Sequence, residues 1–137
     1  MKKLTANNYR QDKYYIPVVK AVTEILAKQM YITPIGVFVT LGLLSNDHVV
    51  RWKKGSIPYL ERVIMCSLSK ASRILRLIRF HCHDLNMIPS ITVYKAKKAK
   101  KGVLRFSKTG ERNLEEAYAR HFVSPLLKKH RVQQDKF

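Results

Sequence analysis

The sequence predicts a mostly α-helical single domain of about five helices, with one two-stranded antiparallel β-hairpin, placed like a wing, near residues 91–107. Two observations support this fold class. Apolar residues recur at intervals of three and four over most of residues 15–85, as they do in helices that bury one face. Short β-branched and aromatic runs then replace that pattern at residues 91–94 and 103–106, on either side of a basic segment.

The length and composition suit one folded unit. A chain of 137 residues with 46% hydrophobic content can build a single core. We expect residues 14–127 to form this domain, with residues 1–13 as a flexible N-terminus and residues 128–137 as a flexible basic tail. The longest apolar-rich run, residues 35–44, is too short to cross a bilayer, and no secretory signal begins the chain. These features predict a cytoplasmic protein without a membrane partner.

Prolines mark the first two helices. The first runs from Tyr15 to about Met30, and Pro17 lies in its first turn, where a missing N–H removes no hydrogen bond. The second begins after Thr33, a capping residue, with Pro34 at its first position. The β-branched residues of this second segment leave a strand as the alternative.

The third and fourth helices follow closely. Ser45 is a capping residue for the third helix, which ends at Gly55. A turn containing Pro58 then begins the longest helix, from Tyr59 to about Leu85. Its polar positions are mostly basic: Arg62, Lys70, Arg73, Arg76 and Arg79.

The last third of the chain combines the hairpin with a final helix. Alternation along the two hairpin strands directs Ile91, Val93, Leu104 and Phe106 toward the core. After a turn near Gly110, Asn113 is the capping residue of a last helix that we expect to reach Val123.

The charge is the main indication of function. The chain has 27 Lys and Arg residues against 9 Asp and Glu residues, a formal net charge of +18. Self-repulsion on this scale disfavours a compact monomer unless a polyanion lies nearby. A folded scaffold with this excess of positive charge therefore predicts a nucleic-acid partner.

Residues 33–64 contain two short helices joined by a tight turn, with Trp52, two lysines and Gly55 at the end of the second. This arrangement resembles the helix-turn-helix of Cro and repressor-type DNA-binding regulators, in which a further proline and an apolar helix follow. Gly42 lies one place earlier than in that pattern. The resemblance implies that Val49 and Trp52 anchor a recognition helix, that Leu44 fills the turn, that Arg51, Lys53 and Lys54 face DNA, and that Ser56 lies near its backbone. The alternative is an ordinary loop and an ordinary core tryptophan.

Two further basic groups are candidate contacts. The hairpin tip and its flanks carry seven cations and no acid: Lys95, Lys97, Lys98, Lys100, Lys101, Arg105 and Lys108. Lysines are point charges that suit phosphates better than base edges. The alternative is a solvated loop that protects an edge strand. On the long helix, Arg73 and Arg76 suit a groove wall or RNA, unless they only surround a buried helix.

Other chemistry has weaker support. Residues 81–83 read His-Cys-His, with Cys66 earlier, but successive helical residues point about 100° apart, so we predict no metal site. Glu111, Glu115 and His121 fall near one face of the last helix, where an acid–base site is the alternative to capping and surface roles. We expect no enzyme and no cofactor.

The sequence therefore favours a nucleic-acid-binding protein that contacts double-stranded DNA, as a transcription regulator would, through a divergent helix-turn-helix and a basic hairpin. A protein that binds structured RNA or ribosomes is one alternative. A small protein-interaction or inhibitor module, of the kind that phages and mobile elements carry, is another. A homodimer stays open because no sustained heptad pattern indicates it.

Overall fold

The computed structural model describes residues 3–96 and 102–126, and within these ranges it contains five α-helices and a three-stranded antiparallel sheet. The helices are α1 (Tyr15–Leu26), α2 (Pro34–Thr40), α3 (Asn46–Lys53), α4 (Leu68–Asp84) and α5 (Arg112–Ala119). The strands are β1 (Tyr31–Ile32), β2 (Ile88–Ile91) and β3 (Arg120–Val123), and short 3-10 turns lie at Tyr9–Gln11 and Leu60–Val63. The mostly helical fold class is confirmed, with three strands in place of the predicted two.

The sheet places the last strand in its centre. β3 pairs antiparallel with both β1 and β2, so that Phe122 lies opposite both Ile32 and Pro89. Pro89 lacks an N–H, and it is accommodated because β2 is an edge strand. The predicted final helix to Val123 is therefore wrong beyond Ala119, where the chain leaves the helix and takes up pairing with two distant strands.

The predicted hairpin is reduced to a short ribbon. Its first strand was expected at residues 91–94, but the β2 backbone pairs with β3 instead. A single antiparallel bridge, between Lys95 and Val103, joins the two segments of the predicted hairpin in the part of the chain that is described. Of the side chains expected in the core, Ile91 and Val93 are 51% and 60% exposed, whereas Leu104 and Phe106 are buried.

The predicted long helix begins about nine residues later than expected. Ser67 caps α4, because its Oγ accepts a hydrogen bond from the Lys70 N–H at 3.1 Å. Upstream, the Met65 N–H donates to the Leu43 carbonyl at 2.7 Å, and the Glu61 N–H donates to the Phe106 carbonyl at 2.8 Å. These bonds tie residues 60–65 to other parts of the chain rather than to a helix.

The local signals at the starts of α2 and α3 are confirmed, whereas Asn113 is wrong as the cap of α5, which begins at Arg112 with Glu111 as its cap. Thr33 Oγ1 accepts a hydrogen bond from the Gly36 N–H at 2.9 Å, and Ser45 Oγ accepts one from the His48 N–H at 3.1 Å. The first helix ends at Leu26 rather than Met30, because the Met30 carbonyl accepts the Ser124 N–H as an extension of the β1–β3 pairing.

Four helices enclose the core. α1 packs on α2 and α4, and α5 packs on α2 and α4. The N-terminal segment adds two buried side chains, Leu4 and Tyr9, and the Tyr9 ring stacks on Phe80 with 5.0 Å between ring centroids. No helix within residues 3–96 and 102–126 is both long enough and apolar enough to cross a membrane.

Candidate nucleic-acid interface

Helix α3 has an exposed, mostly polar face and, on its other side, apolar residues that are buried in the core. Ser45 caps its first turn, and Val49 and Trp52 are buried, as the sequence predicts for the anchors of this helix. Leu44, in the turn before it, is 2% exposed. The solvent-facing residues of α3 and its end are Asn46, Asp47, Val50, Arg51, Lys53 and Lys54.

Trp52 joins α3 to the ribbon, which we define as residues 94–96 and 102–106. Its indole N–H donates to the Arg105 carbonyl at 2.8 Å. Its ring lies 4.9 Å from the Phe106 centroid and 5.6 Å from the Tyr94 centroid. A fully buried tryptophan with its N–H satisfied fixes the position of both elements, so α3 and the ribbon form one rigid unit.

The base of the ribbon lies beside the C-terminal end of α3. The Leu104 N–H donates to the Tyr94 carbonyl at 2.7 Å, and the Ala96 N–H donates to the Gly102 carbonyl at 3.2 Å. Gly55, with φ of +83°, ends α3 so close to the ribbon that a Cβ there would lie 3.7 Å from the Ala96 Cβ. Lys54 and Ser56 on one side and Lys95 on the other therefore lie near the same point.

Two inward-facing carboxylates hold the segment that leaves the ribbon. Glu61, 8% exposed, accepts hydrogen bonds from the Lys108 N–H at 3.0 Å and the Tyr118 hydroxyl at 2.8 Å. Glu115 accepts from the N–H groups of Phe106 and Ser107 at 2.9 and 2.6 Å. The sequence predicts neither role, since nothing local marks a carboxylate that binds backbone 8 to 47 residues away.

The consequence is an outer surface with little negative charge. Lys53, Lys54, Lys95 and Lys108 are exposed and have no ion-pair partner in the described ranges. Arg51 pairs with Asp47 at 3.3 Å, but both side chains are more than 60% exposed, so water screens the pair and it stabilises little. The Arg105 guanidinium lies 5.5 Å from the Tyr59 ring centroid, where the ring face favours a cation.

The remaining predicted contacts fall elsewhere. Arg73 is ion-paired with the buried carboxylate of Asp12, and this pair links α4 to the segment before α1. Arg76 is exposed on α4, on a surface that it shares with α5 rather than α3. Lys97, Lys98, Lys100 and Lys101 lie outside the described residues.

The polar residues considered for metal or acid–base chemistry have other roles. Glu111 caps α5 by accepting the N–H groups of Asn113 and Leu114, both at 3.0 Å. His121 lies on β3 rather than on a helix, between Thr92 Oγ1 at 3.0 Å and the Tyr94 hydroxyl at 2.5 Å. No group of three His, Cys, Asp or Glu side chains in residues 3–96 and 102–126 is placed to hold a metal ion.

Burial sets the protonation of several groups behind this surface. It lowers the pKa of His121 and raises the pKa of Tyr94 to about 12, so that both are neutral near pH 7. It also raises the pKa of Cys82 to about 12, which keeps this thiol protonated and unreactive.

Sequence reasoning missed two exposed residues on α3. It assigned the groove contacts to the C-terminal half of the helix, yet Asn46 is exposed in the first turn and Val50 is 48% exposed. Asn46 directly follows the capping Ser45, and Val50 lies four residues later, so the two share a helix face that does not carry the buried Val49 and Trp52; this spacing is the signal that identifies them.

Comparisons of this chain with protein-family models, with curated proteins and with solved structures found no match.

Proposed function

We propose that this chain is a nucleic-acid-binding protein that takes double-stranded DNA on the surface formed by α3 and the ribbon. The observation that carries the proposal is the contact of Trp52 with Arg105, Phe106 and Tyr94. This contact joins α3, with Arg51, Lys53 and Lys54 at its end, to a ribbon that carries Lys95 and Arg105. A fixed basic unit of this kind binds a phosphate backbone with less loss of conformational freedom than two independent loops.

The distribution of charge supports an anionic ligand. The carboxylates nearest the ribbon, Glu61 and Glu115, are committed to hydrogen bonds with the chain itself. Asp47 is the acid that accompanies the exposed cations of α3, and its pair with Arg51 is exposed enough to open on binding.

The side chains of α3 divide by chemistry. Lys53 and Lys54 are flexible point charges at the C-terminal end of the helix, where they suit phosphates. Asn46 lies in the first turn, which is the part of a recognition helix that reaches base edges, and Val50 is exposed one turn later. An asparagine amide suits the N6 and N7 atoms of adenine, and an apolar side chain suits the thymine methyl.

The test compares a 20-base-pair DNA duplex with a structured RNA hairpin by fluorescence anisotropy over a potassium chloride series. We expect duplex binding that weakens steeply with salt. The variant K53A/K54A should bind more weakly, and the slope of log K against log salt should be smaller in magnitude by about 2, because two phosphate contacts are lost. Substituting Lys97, Lys98, Lys100 and Lys101 by Ala should weaken binding similarly for all duplex sequences.

The matched control is K20A/K28A, which removes the same charge from exposed positions on α1 and just after it. If K20A/K28A weakens duplex binding as much as K53A/K54A, the duplex is attracted by the net charge of the chain as a whole, and the proposed surface of α3 and the ribbon is wrong. Absence of duplex binding at low salt would exclude the proposal. Tighter binding of the RNA hairpin would favour the RNA-binding alternative, and an acidic protein that stays bound after nuclease treatment would favour an interaction module.

A further inference from the structure

A groove lies between α4 and α5, separate from α3 and the ribbon. The groove has a volume of about 450 Å³, and residues of β3 and of the N-terminal segment contribute to its lining. This volume lies within the range of cavities that hold small organic ligands. The groove shares no residue with α3 or the ribbon, so a ligand of the groove would bind apart from the surface proposed above.

Cations dominate the rim. Arg76 and Arg79 are exposed on successive turns of α4, and Arg120 begins β3 at the far side. None of the three has an ion-pair partner among the residues that the structure describes. Arginine offers five N–H donors in a planar fork that matches the oxygen geometry of a phosphate. Lys3 adds a further positive charge to the same lining.

Of the two acids in the groove lining, Glu111 is committed to the cap of α5, and Glu116 forms an exposed ion pair that stabilises little. Glu111 accepts two backbone N–H groups as the cap of α5, and Glu116 pairs with Arg112 at 3.2 Å. Neutral donors supplement the arginines, because the hydroxyls of Ser69 and Ser72 are exposed on the α4 wall. The groove therefore offers several donors of both kinds to an anion and few free acceptors to a cation.

The interior of the groove is apolar. Leu75, Ile78 and Phe122 form its largely buried floor, each less than 10% exposed, and the half-buried Leu114 and Ala117 of α5 form its accessible apolar wall. A bare inorganic anion would leave this apolar surface unused, whereas a ligand with a flat ring and a phosphate would use both the interior and the rim. Burial of apolar surface and charge-assisted hydrogen bonds then add together.

We propose that the groove between α4 and α5 binds a nucleoside phosphate, with the phosphate on Arg76, Arg79 and Arg120 and the base on the apolar wall. This ligand chemistry has two sources, a free nucleotide and the 5′-phosphorylated end of a nucleic-acid strand. The strand end rests on the proposed nucleic-acid function, whereas the free nucleotide does not.

The test is isothermal titration of the full chain with adenosine 5′-monophosphate, adenosine and inorganic phosphate, each separately. The monophosphate should bind more tightly than either adenosine or phosphate. The variant R76A/R79A should lower its affinity about tenfold or more, since two charge-assisted hydrogen bonds are lost. Because both side chains are exposed, this variant should fold, and its circular dichroism spectrum should match that of the unmodified chain.

The control K53A/K54A removes the same charge from α3 and should leave the affinity for the monophosphate within twofold. Equal losses in the two variants, or equal affinity for adenosine and its monophosphate, would overturn the proposal, as would absence of binding. A 5′-phosphorylated hexanucleotide that binds more tightly than the same hexanucleotide with a free 5′-hydroxyl, with the gain lost in R76A/R79A, identifies the strand end as the source; equal binding of the two hexanucleotides identifies the free nucleotide. If K53A/K54A weakens duplex DNA binding while the monophosphate does not bind at all, only the groove proposal fails.

Discussion

The buried hydroxyl of Tyr118 shows how single side chains hold the ribbon in place. It donates to Glu61, and burial together with this bond raises the pKa of the Tyr118 hydroxyl, so the proton stays on the tyrosine. The same carboxylate accepts the Lys108 N–H, which fixes the chain just after the ribbon. Glu61 therefore joins α5 to the segment that follows the proposed DNA-binding surface.

Substituting Tyr118→Phe should lower the free energy of unfolding by about 1–3 kcal/mol, because a buried carboxylate oxygen of Glu61 loses its donor. Urea denaturation measures this change. The control is Tyr31→Phe, which removes a hydroxyl from a residue that is 41% exposed and should change stability little. Equal effects in the two variants would show that the bond between Tyr118 and Glu61 adds nothing.

A buried histidine, His81, and a half-buried one, His121, predict a loss of stability in acid. Burial lowers the pKa of His81, opposed by Asp84 and reinforced by Arg10, and burial also lowers the pKa of His121 between Thr92 and Tyr94. The folded state therefore favours the neutral ring. The stabilisation is complete above the unfolded pKa of about 6.5 and is lost as the pH falls through the lower folded values.

The free energy of unfolding should accordingly be smaller at pH 5 than at pH 7.5, as measured by urea denaturation at each pH. In the variant H81Q/H121Q this difference should shrink, since neither glutamine takes up a proton. His83→Gln, at an exposed position on α4, serves as the control and should keep the full difference. An unchanged pH dependence in H81Q/H121Q would contradict the assignment.

At the scale of elements, the start of α4 shows that hydrogen bonds to distant residues, and not only the local sequence pattern, decide where a helix begins. The apolar periodicity of the sequence continues from Leu60 through Ile64 toward Ile78, which predicts one long helix. The structure divides it, because the Met65 N–H bonds to Leu43 and because Ser67 caps a new helix. The apolar periodicity predicts which face of the segment is buried, but it does not predict the residue at which the helix begins or ends.

Substituting Ser67→Ala should lower the free energy of unfolding by about 1 kcal/mol, because the Lys70 N–H loses its capping oxygen. If the helix instead ran through this position, alanine would be the better helix former and the variant would be more stable. The sign of the change in urea denaturation therefore distinguishes the two. The control is Ser69→Ala, an exposed position two residues later in the first turn, which should change the free energy of unfolding little.

The features that the sequence predicts well are those that depend on near neighbours. The caps at Thr33 and Ser45 and the burial of Trp52 follow from residues within one or two turns. β3 could not be found this way, since its residues continue the pattern of α5 and become a strand through pairing with β1 and β2. The candidate site divides similarly. The cations can be read directly from the sequence. The hydrogen bond that brings α3 and the ribbon together, from Trp52 to Arg105, joins residues 53 positions apart and cannot.

At the scale of the whole molecule, charge repulsion opposes the fold. The formal net charge is +18, whereas the ion pairs in the described ranges are few, and only that of Arg73 with Asp12 is substantially buried. Exposed ion pairs contribute about 0–1 kcal/mol each to stability, so the molecule loses little stability when salt screens these pairs. Screening relieves repulsion among the many unpaired cations at the same time.

The melting temperature should therefore rise when sodium chloride is increased from 10 to 150 mM, over which the screening length falls from about 30 to about 8 Å. Differential scanning calorimetry measures this shift. The variant K20Q/K28Q, which removes two exposed charges, should melt higher than the unmodified chain at 10 mM and gain less from salt. A melting temperature that falls with salt would instead mean that ion pairs outweigh repulsion. The same repulsion should make a bound polyanion stabilising, because the ligand screens the cations where they are densest.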